Sequence, residues 1–431
     1  MDDLLALYLI LREPTLDVRA IAIDGTGLVR CGPGVANMRR ILGAFDRLDI
    51  PFGCGREEPG PNGQAFPDEW RGSSDLLYGV DLPPVAASEL PPDAVTVLHD
   101  ALAGSPEPVT VLAVGTWTNL QDLFATHPAD LDRVAGIHTM AATIDAPGNI
   151  ELGGVTPEDK VEWNVGADPD AFVAVMALDV PVSVVPLDAT NDVPVPADIV
   201  EILDADHAAA GADIAFETYI RNAYLATEGN YWWDATAAVS LVDPSLLTWE
   251  DMSVTLTTEG PGAGRINRDP AGRPVRAAMG ADGARVQAAV LAGLRRGAPR
   301  PQPFAATGSI GVTWDGTACR MDGAPPTKAG LVRIDFHNRS TTPAGVLGAG
   351  IREPKTWADA LAFVAAADFS RDDLVMPDWI IQLDGSSPVA GAGQDAMALV
   401  TLPAGLVGLA CAAGEWPDFA FSDGGSFTLT D

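Results

Sequence analysis

Apolar runs and helical patterns alternate through the first two-thirds of the chain. Short apolar runs that predict buried strands lie at residues 18–23, 110–114 and 182–187. Apolar residues with helical spacing lie at residues 2–12 and 35–48. Strands that alternate with helices indicate a mainly parallel sheet with helices on both faces. We therefore predict an α/β domain over residues 1–297, with its functional side chains at the carboxyl ends of the strands.

The pattern changes in the last third of the chain, where helical periodicity mostly stops. Short alternating runs such as residues 331–336 (LVRIDF) and 396–401 (AMALVT) are separated by turns rich in Gly, Pro and Asp. This pattern is typical of an all-β sandwich. We predict the sandwich over residues 304–431, with one helical insertion at residues 357–367 and a linker at residues 295–303 (RRGAPRPQP).

The chain is strongly acidic, with 59 Asp and Glu against 26 Lys and Arg and a formal net charge of −33. Such a surface repels phosphate backbones, so we expect no nucleic-acid partner. Hydrophobic residues make up 47% of the 431 residues, which is enough for a large core. No apolar stretch is long enough to span a bilayer, so the sequence predicts no membrane span.

Four cysteines are present: Cys31, Cys54, Cys319 and Cys411. None forms a CxxC pair and no His lies at ligand spacing, which argues against a structural zinc site. Two alternatives remain, namely buried thiols or one disulfide in each domain of an exported protein. We favour free thiols for Cys31 and Cys54, and leave both alternatives open for Cys319 and Cys411.

Several groups of polar residues occur in one order along the first domain. They are Met1-Asp2-Asp3 before the first helix, VGTWTN at 114–119, PGN at 147–149, VEWN at 161–164, DP at 168–169 and WWDA at 232–235. In this order they resemble the motifs of the inosine-uridine-preferring nucleoside hydrolase family. The family motifs are the end of D-x-D-x-G-x-D-D-x-x-A-L, the G-P-L-T-N turn, the G-N…A-E-[FW]-N…D-P block, and an H-D or W-D pair before a helix. The stretch VPLDAT at 185–190 also matches, and the resemblance covers about residues 1–295.

The resemblance implies an enzyme that hydrolyses the N-glycosidic bond of ribonucleosides to ribose and a free base, using a calcium-activated water. It implies calcium ligands at Asp3 and Asp234 through their carboxylates and at Thr118 through its backbone carbonyl. It implies contacts to the ribose hydroxyls from Asp2, Asn149, Glu162 and Asn164. Trp233 stands where some members have His, and an indole can stack on a nucleobase but cannot act as a general acid.

The catalytic base has no counterpart within residues 1–431. In the family motif the second Asp of D-x-D is the general base and the first calcium ligand, and it would precede Met1. The resemblance therefore implies that the first strand of the domain is missing and that residues 1–431 catalyse poorly. We assign no substitute, because Asp24 follows a different predicted strand. The alternative function is a non-catalytic exported protein that binds nucleoside or ribose, and a homo-oligomer is possible for either.

The site residues also have purely structural interpretations. Asp2 and Asp3 could cap the first helix, and Asp234 could be the N-cap of the helix that follows it. Glu162 and Asn164 alternate, which would place them on one face of an extended segment, and that face could simply be solvated. Similarly, Thr118 could be an ordinary helix start and Trp233 could fill the core. Phe66 and Trp70 lie on a segment (QAFPDEWR, 64–71) that could line the base pocket or could be a surface loop without a ligand.

The predicted sandwich resembles cupredoxin-like domains in outline. Blue-copper sites need two His and a Cys close together, usually with a Met. This region has only His337, and no His follows Cys411, so we expect no copper and consider Cys319 bonded to Cys411. Sandwiches of this kind are commoner in exported proteins, which favours a periplasmic or extracellular location over a cytoplasmic one.

Overall fold

A computed structural model describes residues 1–86, 91–227, 229–367, 375–385, 387–414 and 420–431. The chain forms two compact units, which are residues 1–216 with 226–303, and residues 217–225 with 304–431. The predicted domains placed residues 217–225 in the first domain. Within the second unit, Arg221 of this segment lies over the ring of Phe304, with 5.9 Å between its guanidinium carbon and the ring centroid. Sequence periodicity does not report such a long-range contact.

The first unit contains most of the helices. Its helices are α1 (Asp2–Leu11), α2 (Cys31–Ala44), α3 (Asp68–Asp75), α4 (Ala94–Gly104), α5 (Thr118–Thr126), α6 (Trp163–Ala167), α7 (Pro169–Met176), α8 (Leu187–Thr190), α9 (Ile199–Asp204), α10 (Ala210–Arg221, whose last residues belong to the second unit), α11 (Trp233–Val242) and α12 (Gly283–Leu294). Its strands are β1 (Ile21–Ile23), β2 (Phe52–Cys54), β3 (Val109–Ala113), β4 (Val134–Met140), β5 (Val182–Val185), β6 (Leu247–Leu256), β7 (Ile266–Arg268) and β8 (Arg273–Ala281).

The strands of the first unit form two separate sheets. One sheet has the order β3-β4-β5-β8-β6-β7, and its first four strands are parallel. Strand β6 is antiparallel to both β8 and β7. The other sheet is the parallel pair β1-β2. The prediction of a mainly parallel sheet is therefore confirmed, with an antiparallel extension at one end.

Helices cover both faces of the larger sheet. Ile137 of β4 belongs to a buried cluster with Trp117 and Phe172, which comes from α7. The next residue, His138, lies 3.1 Å through its Nε2 from the Ser240 hydroxyl of α11. Successive side chains of a strand point to opposite faces, so α7 and α11 lie on opposite sides of the sheet.

The boundaries of α2 differ from the sequence-based prediction by about one turn. We expected a helix over residues 35–48 from the spacing of its apolar residues. The helix instead begins at Cys31. Pro33 is tolerated there because the first-turn N–H groups of a helix have no partner within it. The helix ends at Ala44, and Asp46 has a left-handed φ of 51°.

The second unit is a β-sandwich, as predicted. Its elements are β9 (Gly308–Trp314), β10 (Cys319–Asp322), β11 (Gly330–Asn338), β12 (Ala344–Ile351), α13 (Trp357–Ala366), β13 (Ile380–Gln382), β14 (Asp384–Gly385), β15 (Val389–Ala390), β16 (Asp395–Leu402), β17 (Gly405–Ala413) and β18 (Ala420–Leu429). One sheet has the order β10-β9-β11-β16-β14, and the other has the order β13-β12-β17-β18 with β15 beside β12. Apart from the parallel pair β9–β11, the neighbours are antiparallel. The predicted helical insertion corresponds to α13.

Both cysteine pairs form disulfides. Cys319 and Cys411 lie on strands of the two different sheets with 5.5 Å between their Cα atoms, which confirms the pairing considered above. Cys31 and Cys54 are also bonded, with 5.6 Å between their Cα atoms, so our preference for free thiols was wrong. The parallel pairing of β1 with β2 brings the end of β2 next to the start of α2, and the spacing of the two cysteines gave no sign of this.

The described residues include no helix that combines the length and the apolar character needed to cross a membrane.

Candidate active site

Three acidic side chains from the two ends of the first unit converge. Asp2 and Asp3 lie in the first turn of α1, and Asp234 is the second residue of α11, which packs against α1. Each offers a carboxylate oxygen, and these oxygens lie within 4.8 Å of one another. The main-chain N–H of Asp234 donates a hydrogen bond to Oδ2 of Asp2 at 3.2 Å. Neither α1 nor α11 has a side-chain cap, so the interpretation of these residues as N-caps is wrong.

The charges of this acidic group are poorly compensated. Burial raises the pKa of Asp234 well above its usual range, and the charges of Asp2 and Asp3 raise it further. Burial also raises the pKa of Asp2. Oδ1 of Asp234 is buried and has no hydrogen-bond partner. The ammonium group of Met1 lies 3.7 Å from an oxygen of Asp2 and of Asp3. An acidic group with an unpaired buried oxygen suits a hard divalent cation, which takes oxygen ligands.

Glu162 is held by main-chain hydrogen bonds and interacts electrostatically with Asp2 of this group. It is the N-cap of α6, and its carboxylate accepts hydrogen bonds from the N–H groups of Ala142, Asn164 and Val165 at 2.8–3.3 Å. Burial raises the pKa of Glu162 to about 7 despite these bonds, and the charge of Asp2 contributes to the rise. The prediction that Glu162 and Asn164 share one face of an extended segment is wrong, because the chain turns into α6 directly after Glu162.

The two asparagines bind main-chain groups. Nδ2 of Asn164 donates to the carbonyl of Met140 at 3.0 Å and to that of Val114 at 3.3 Å. These carbonyls lie at the carboxyl ends of β4 and β3, where functional residues were expected. Oδ1 of Asn149 accepts from the N–H of Trp163 at 3.1 Å, and Asn149 is exposed.

Thr118 lies in a second, buried polar group. Its hydroxyl donates to Oδ2 of Asp168 at 2.7 Å and lies 2.9 Å from the hydroxyl of Thr26 and 3.1 Å from that of Thr116. Asp168 is the N-cap of α7 and also accepts from Arg56 at 3.1 Å. The side chain of Thr118 therefore binds Asp168 and not the acidic group, while Thr118 itself is the first residue of α5.

Asp24 connects the two groups electrostatically, and sequence reasoning assigned it no role. Burial raises the pKa of Asp24 well above its usual range, and the charges of Asp3 and Asp168 both add to the rise. Its Oδ1 is buried without a hydrogen-bond partner. The available signal was its position directly after β1, since functional residues of parallel sheets follow the carboxyl ends of strands.

Aromatic side chains lie next to the polar residues. Trp163, between Glu162 and Asn164, stacks on Phe66 with 4.7 Å between ring centroids and lies 5.3 Å from Trp70. Phe66 is buried, and Trp70 is 47% exposed. Trp233 lies 5.5 Å from Tyr231, and its indole N–H is buried without a hydrogen-bond partner. The segment 64–71 is therefore not a free surface loop, because it packs on the Glu162–Asn164 segment.

The chain is similar in sequence and in fold to known proteins. Residues 1–290 match the sequence profile of the inosine-uridine preferring nucleoside hydrolases. The pyrimidine-specific ribonucleoside hydrolase RihA of Citrobacter koseri is 30% identical over 264 residues, which span 60% of this chain and 81% of that enzyme. The crystal structure of an inosine-uridine preferring nucleoside hydrolase from Bacillus anthracis superimposes with a TM-score of 0.59 at 22% identity, covering 68% of this chain and 95% of that one. A plant nucleoside hydrolase superimposes with the same TM-score and coverage at 24% identity.

Proposed function

Because the chain belongs to the inosine-uridine preferring nucleoside hydrolase family, we propose that it hydrolyses the N-glycosidic bond of ribonucleosides with the help of calcium, releasing ribose and a free base. The main support is the convergence of Asp2, Asp3 and Asp234 within 4.8 Å at the starts of two helices. The strongly acidic surface argues against nucleic acid as the substrate. A small nucleoside is the proposed ligand.

Calcium fits the residues at this position. The donors are all oxygens, one of them is buried without a partner, and the neighbouring negative charges repel one another when no cation is present. We assign the calcium ligands to the carboxylates of Asp3 and Asp234 and to the main-chain carbonyl of Thr118. A bound calcium ion would lower the pKa of a water and polarise it towards the anomeric carbon.

The remaining polar residues are assigned to the ribose. Asp2, Asn149, Glu162 and Asn164 are the proposed partners of its hydroxyl groups. Glu162 suits this role because three N–H groups fix its carboxylate before substrate binds. Such bonds to ribose hydroxyls would strengthen as the ribose becomes oxocarbenium-like in the transition state. Trp233 would stack on the nucleobase and cannot protonate it.

No residue within 1–431 is assigned as the general base. The family motif places this base on a strand ending in D-x-D-x-G, and such a strand is proposed as part of the complete enzyme. The division of the strands into two sheets supports the proposal, because the residues after β1 and β3 approach each other although these strands are not paired. A Cβ atom added to Gly115, after β3, would lie 2.5 Å from Oδ2 of Asp24, after β1.

The runner-up is an exported protein that binds nucleoside or ribose without catalysis. The two disulfides support an exported location for either function, because such bonds persist in oxidising compartments. The test is ribose release from a panel of nucleosides, with calcium and with a chelator. Calcium-dependent release is expected of the enzyme. If the protein binds ribose or nucleoside but releases no ribose from nucleosides, even after the D-x-D strand is supplied, the binding protein would be favoured.

A further inference from the structure

A buried arginine of α3 has no anionic partner among the described residues. Arg71 lies in α3 and is only 9% exposed. Its Nη2 donates to the carbonyl of Gly25 at 2.7 Å, and its Nε is buried without a hydrogen-bond partner. No carboxylate of a described residue forms an ion pair with it. Burying a guanidinium without a carboxylate is costly, so this arrangement points to a partner outside the described residues.

The position of Arg71 indicates what that partner is. Phe66 and Trp70, which precede it closely in the chain, both pack on Trp163. Trp163 lies between Glu162 and Asn164, the proposed ribose contacts. Arg71 donates to the carbonyl of Gly25, and the hydroxyl of the next residue, Thr26, lies 2.9 Å from the hydroxyl of Thr118. Arg71 is therefore the next residue of α3 after Trp70, which packs beside the proposed ribose contacts, and it bonds to the loop that carries Thr26.

We propose that Arg71 binds the nucleobase of the substrate and stabilises it as it leaves. This inference rests on the proposed function. When the N-glycosidic bond breaks, its electron pair passes to the ring nitrogen of the base, while the oxygen of water bonds to the anomeric carbon. A guanidinium keeps its protons, so Arg71 stabilises the developing negative charge through hydrogen bonds. The proton lost by the attacking water balances the one that the departing base takes up from solvent.

The geometry of a guanidinium also predicts a base preference. Its planar fork donates and never accepts, and it matches the adjacent oxygen and nitrogen lone pairs (O6 and N7) of a 6-oxopurine. Adenine presents an amino donor in place of O6, so one arm of the fork would face another donor. We therefore expect inosine and guanosine to be cleaved roughly 5- to 150-fold more efficiently than adenosine, the range that one bidentate contact supplies.

Substitution of Arg71 combined with a change of leaving group separates this role from a structural one. The full chain and its R71Q and R71K variants are assayed with inosine, adenosine and p-nitrophenyl riboside, whose p-nitrophenolate is a stable anion. In R71Q, kcat/KM for inosine should fall about 10- to 150-fold, the effect expected when a charged hydrogen-bond donor is lost. The p-nitrophenyl riboside should be affected much less. R71K keeps the charge without the fork, so it should recover part of the rate and lose the preference for inosine over adenosine.

Arg133 provides the matched control. It too donates to main-chain carbonyls, those of Leu102 and Ser105. However, it directly precedes β4 and so lies at the amino end of that strand, whereas functional residues are expected at the carboxyl ends. R133Q should leave the rate ratio of the two leaving groups unchanged. Equal losses on inosine and p-nitrophenyl riboside in R71Q, or an unchanged inosine rate, would overturn the inference. If R71Q does not fold, the R71K variant provides the test. An inosine-over-adenosine preference of R71K equal to that of the wild type would overturn the inference.

Failure of the proposed function is distinguishable from failure of this inference. If the wild-type chain releases no ribose from any substrate, equilibrium binding of hypoxanthine, followed by tryptophan fluorescence, replaces the rate measurement. Hypoxanthine should then bind at least about tenfold more weakly to R71Q than to the wild type. Equal affinity of the two proteins for hypoxanthine would contradict the role of Arg71.

Discussion

The main-chain N–H of Asp234 donates a hydrogen bond to the carboxylate of Asp2, with 3.2 Å between the nitrogen and Oδ2. This bond joins the first turns of α1 and α11, whose residues are far apart in the sequence. Helix starts carry partial positive charge and attract acidic side chains. Two such starts placed together can hold three carboxylates that would otherwise repel one another. The calcium site that we propose is therefore a consequence of how α1 packs against α11.

Substitution of Asp234 should separate calcium binding from folding. In D234N the buried like-charge repulsion is relieved, so the melting temperature without calcium should stay the same or rise. Saturating calcium should raise the stability of the wild type, by about 2.7 kcal/mol at a concentration 100 times Kd, and should leave D234N unchanged. Differential scanning calorimetry with and without calcium measures both effects. The exposed Asp251 gives the control D251N, which should respond to calcium as the wild type does.

Glu162 should affect catalysis more than folding. In E162Q one carboxylate oxygen becomes an NH2 group that cannot accept, so the N–H of Asn164, or those of Ala142 and Val165, lose their acceptor. Removal of the buried charge offsets this cost, while the charge-assisted bonds to ribose are lost. We expect kcat/KM to fall about 10- to 150-fold with little change in the urea midpoint of unfolding. The exposed Glu158 provides the control E158Q. A large loss of stability in E162Q with an unchanged rate would show that Glu162 is only a helix cap.

The Cys31–Cys54 disulfide should contribute substantially to stability. It closes a loop with a sequence separation of 23 residues. Loop-closure entropy predicts a contribution of about 3 kcal/mol for a loop of this size. Urea unfolding of the C31S/C54S double variant, compared with the wild type, measures the contribution. Mass spectrometry of the aerobically purified protein should detect no free thiol, and two free thiols in this pair would contradict the structure.

His138 should make stability depend on pH. Burial lowers the pKa of His138 to about 4 from its usual 6.5, its ring is 7% exposed, and its Nε2 lies 3.1 Å from the carbonyl of Ala237. Between these two pKa values the unfolded chain binds the proton and the folded chain does not. The contribution of neutral His138 to the free energy of unfolding is therefore fully present above pH 6.5. It is lost as the pH falls to 4, and it amounts to about 3 kcal/mol.

Replacement of His138 should remove this part of the pH dependence. Urea unfolding at pH 7 and at pH 4.5 would be compared for the wild type, H138N and H337Q, where His337 is a half-buried histidine of the second unit. The wild type and H337Q should lose more stability than H138N between the two pH values. The same loss in all three proteins would assign the acid sensitivity to other groups.

The sequence predicted what depends on local patterns and ordered motifs. It predicted helix α1, the parallel strands and the sandwich from periodicity, and it identified Asp2, Asp3 and Asp234 through their motifs. It did not predict the Cys31–Cys54 bond, because that pairing depends on the register of β1 with β2. Asp24 and Arg71 were missed for a related reason. Each has a buried polar atom without a hydrogen-bond partner, which only the packed structure defines.

The most direct test of the central claim is calcium-dependent ribose release from a panel of nucleosides. Residues 1–431 are compared with the same chain extended at its amino end by a strand that ends in D-x-D-x-G. The extended chain should release ribose when calcium is present, and this release should stop when calcium is chelated. The D234N variant of the extended chain should release no ribose. Residues 1–431 alone should be slower by about 10²- to 10⁴-fold, the usual contribution of a general base. Release that persists in the chelator, or in D234N, would contradict the account.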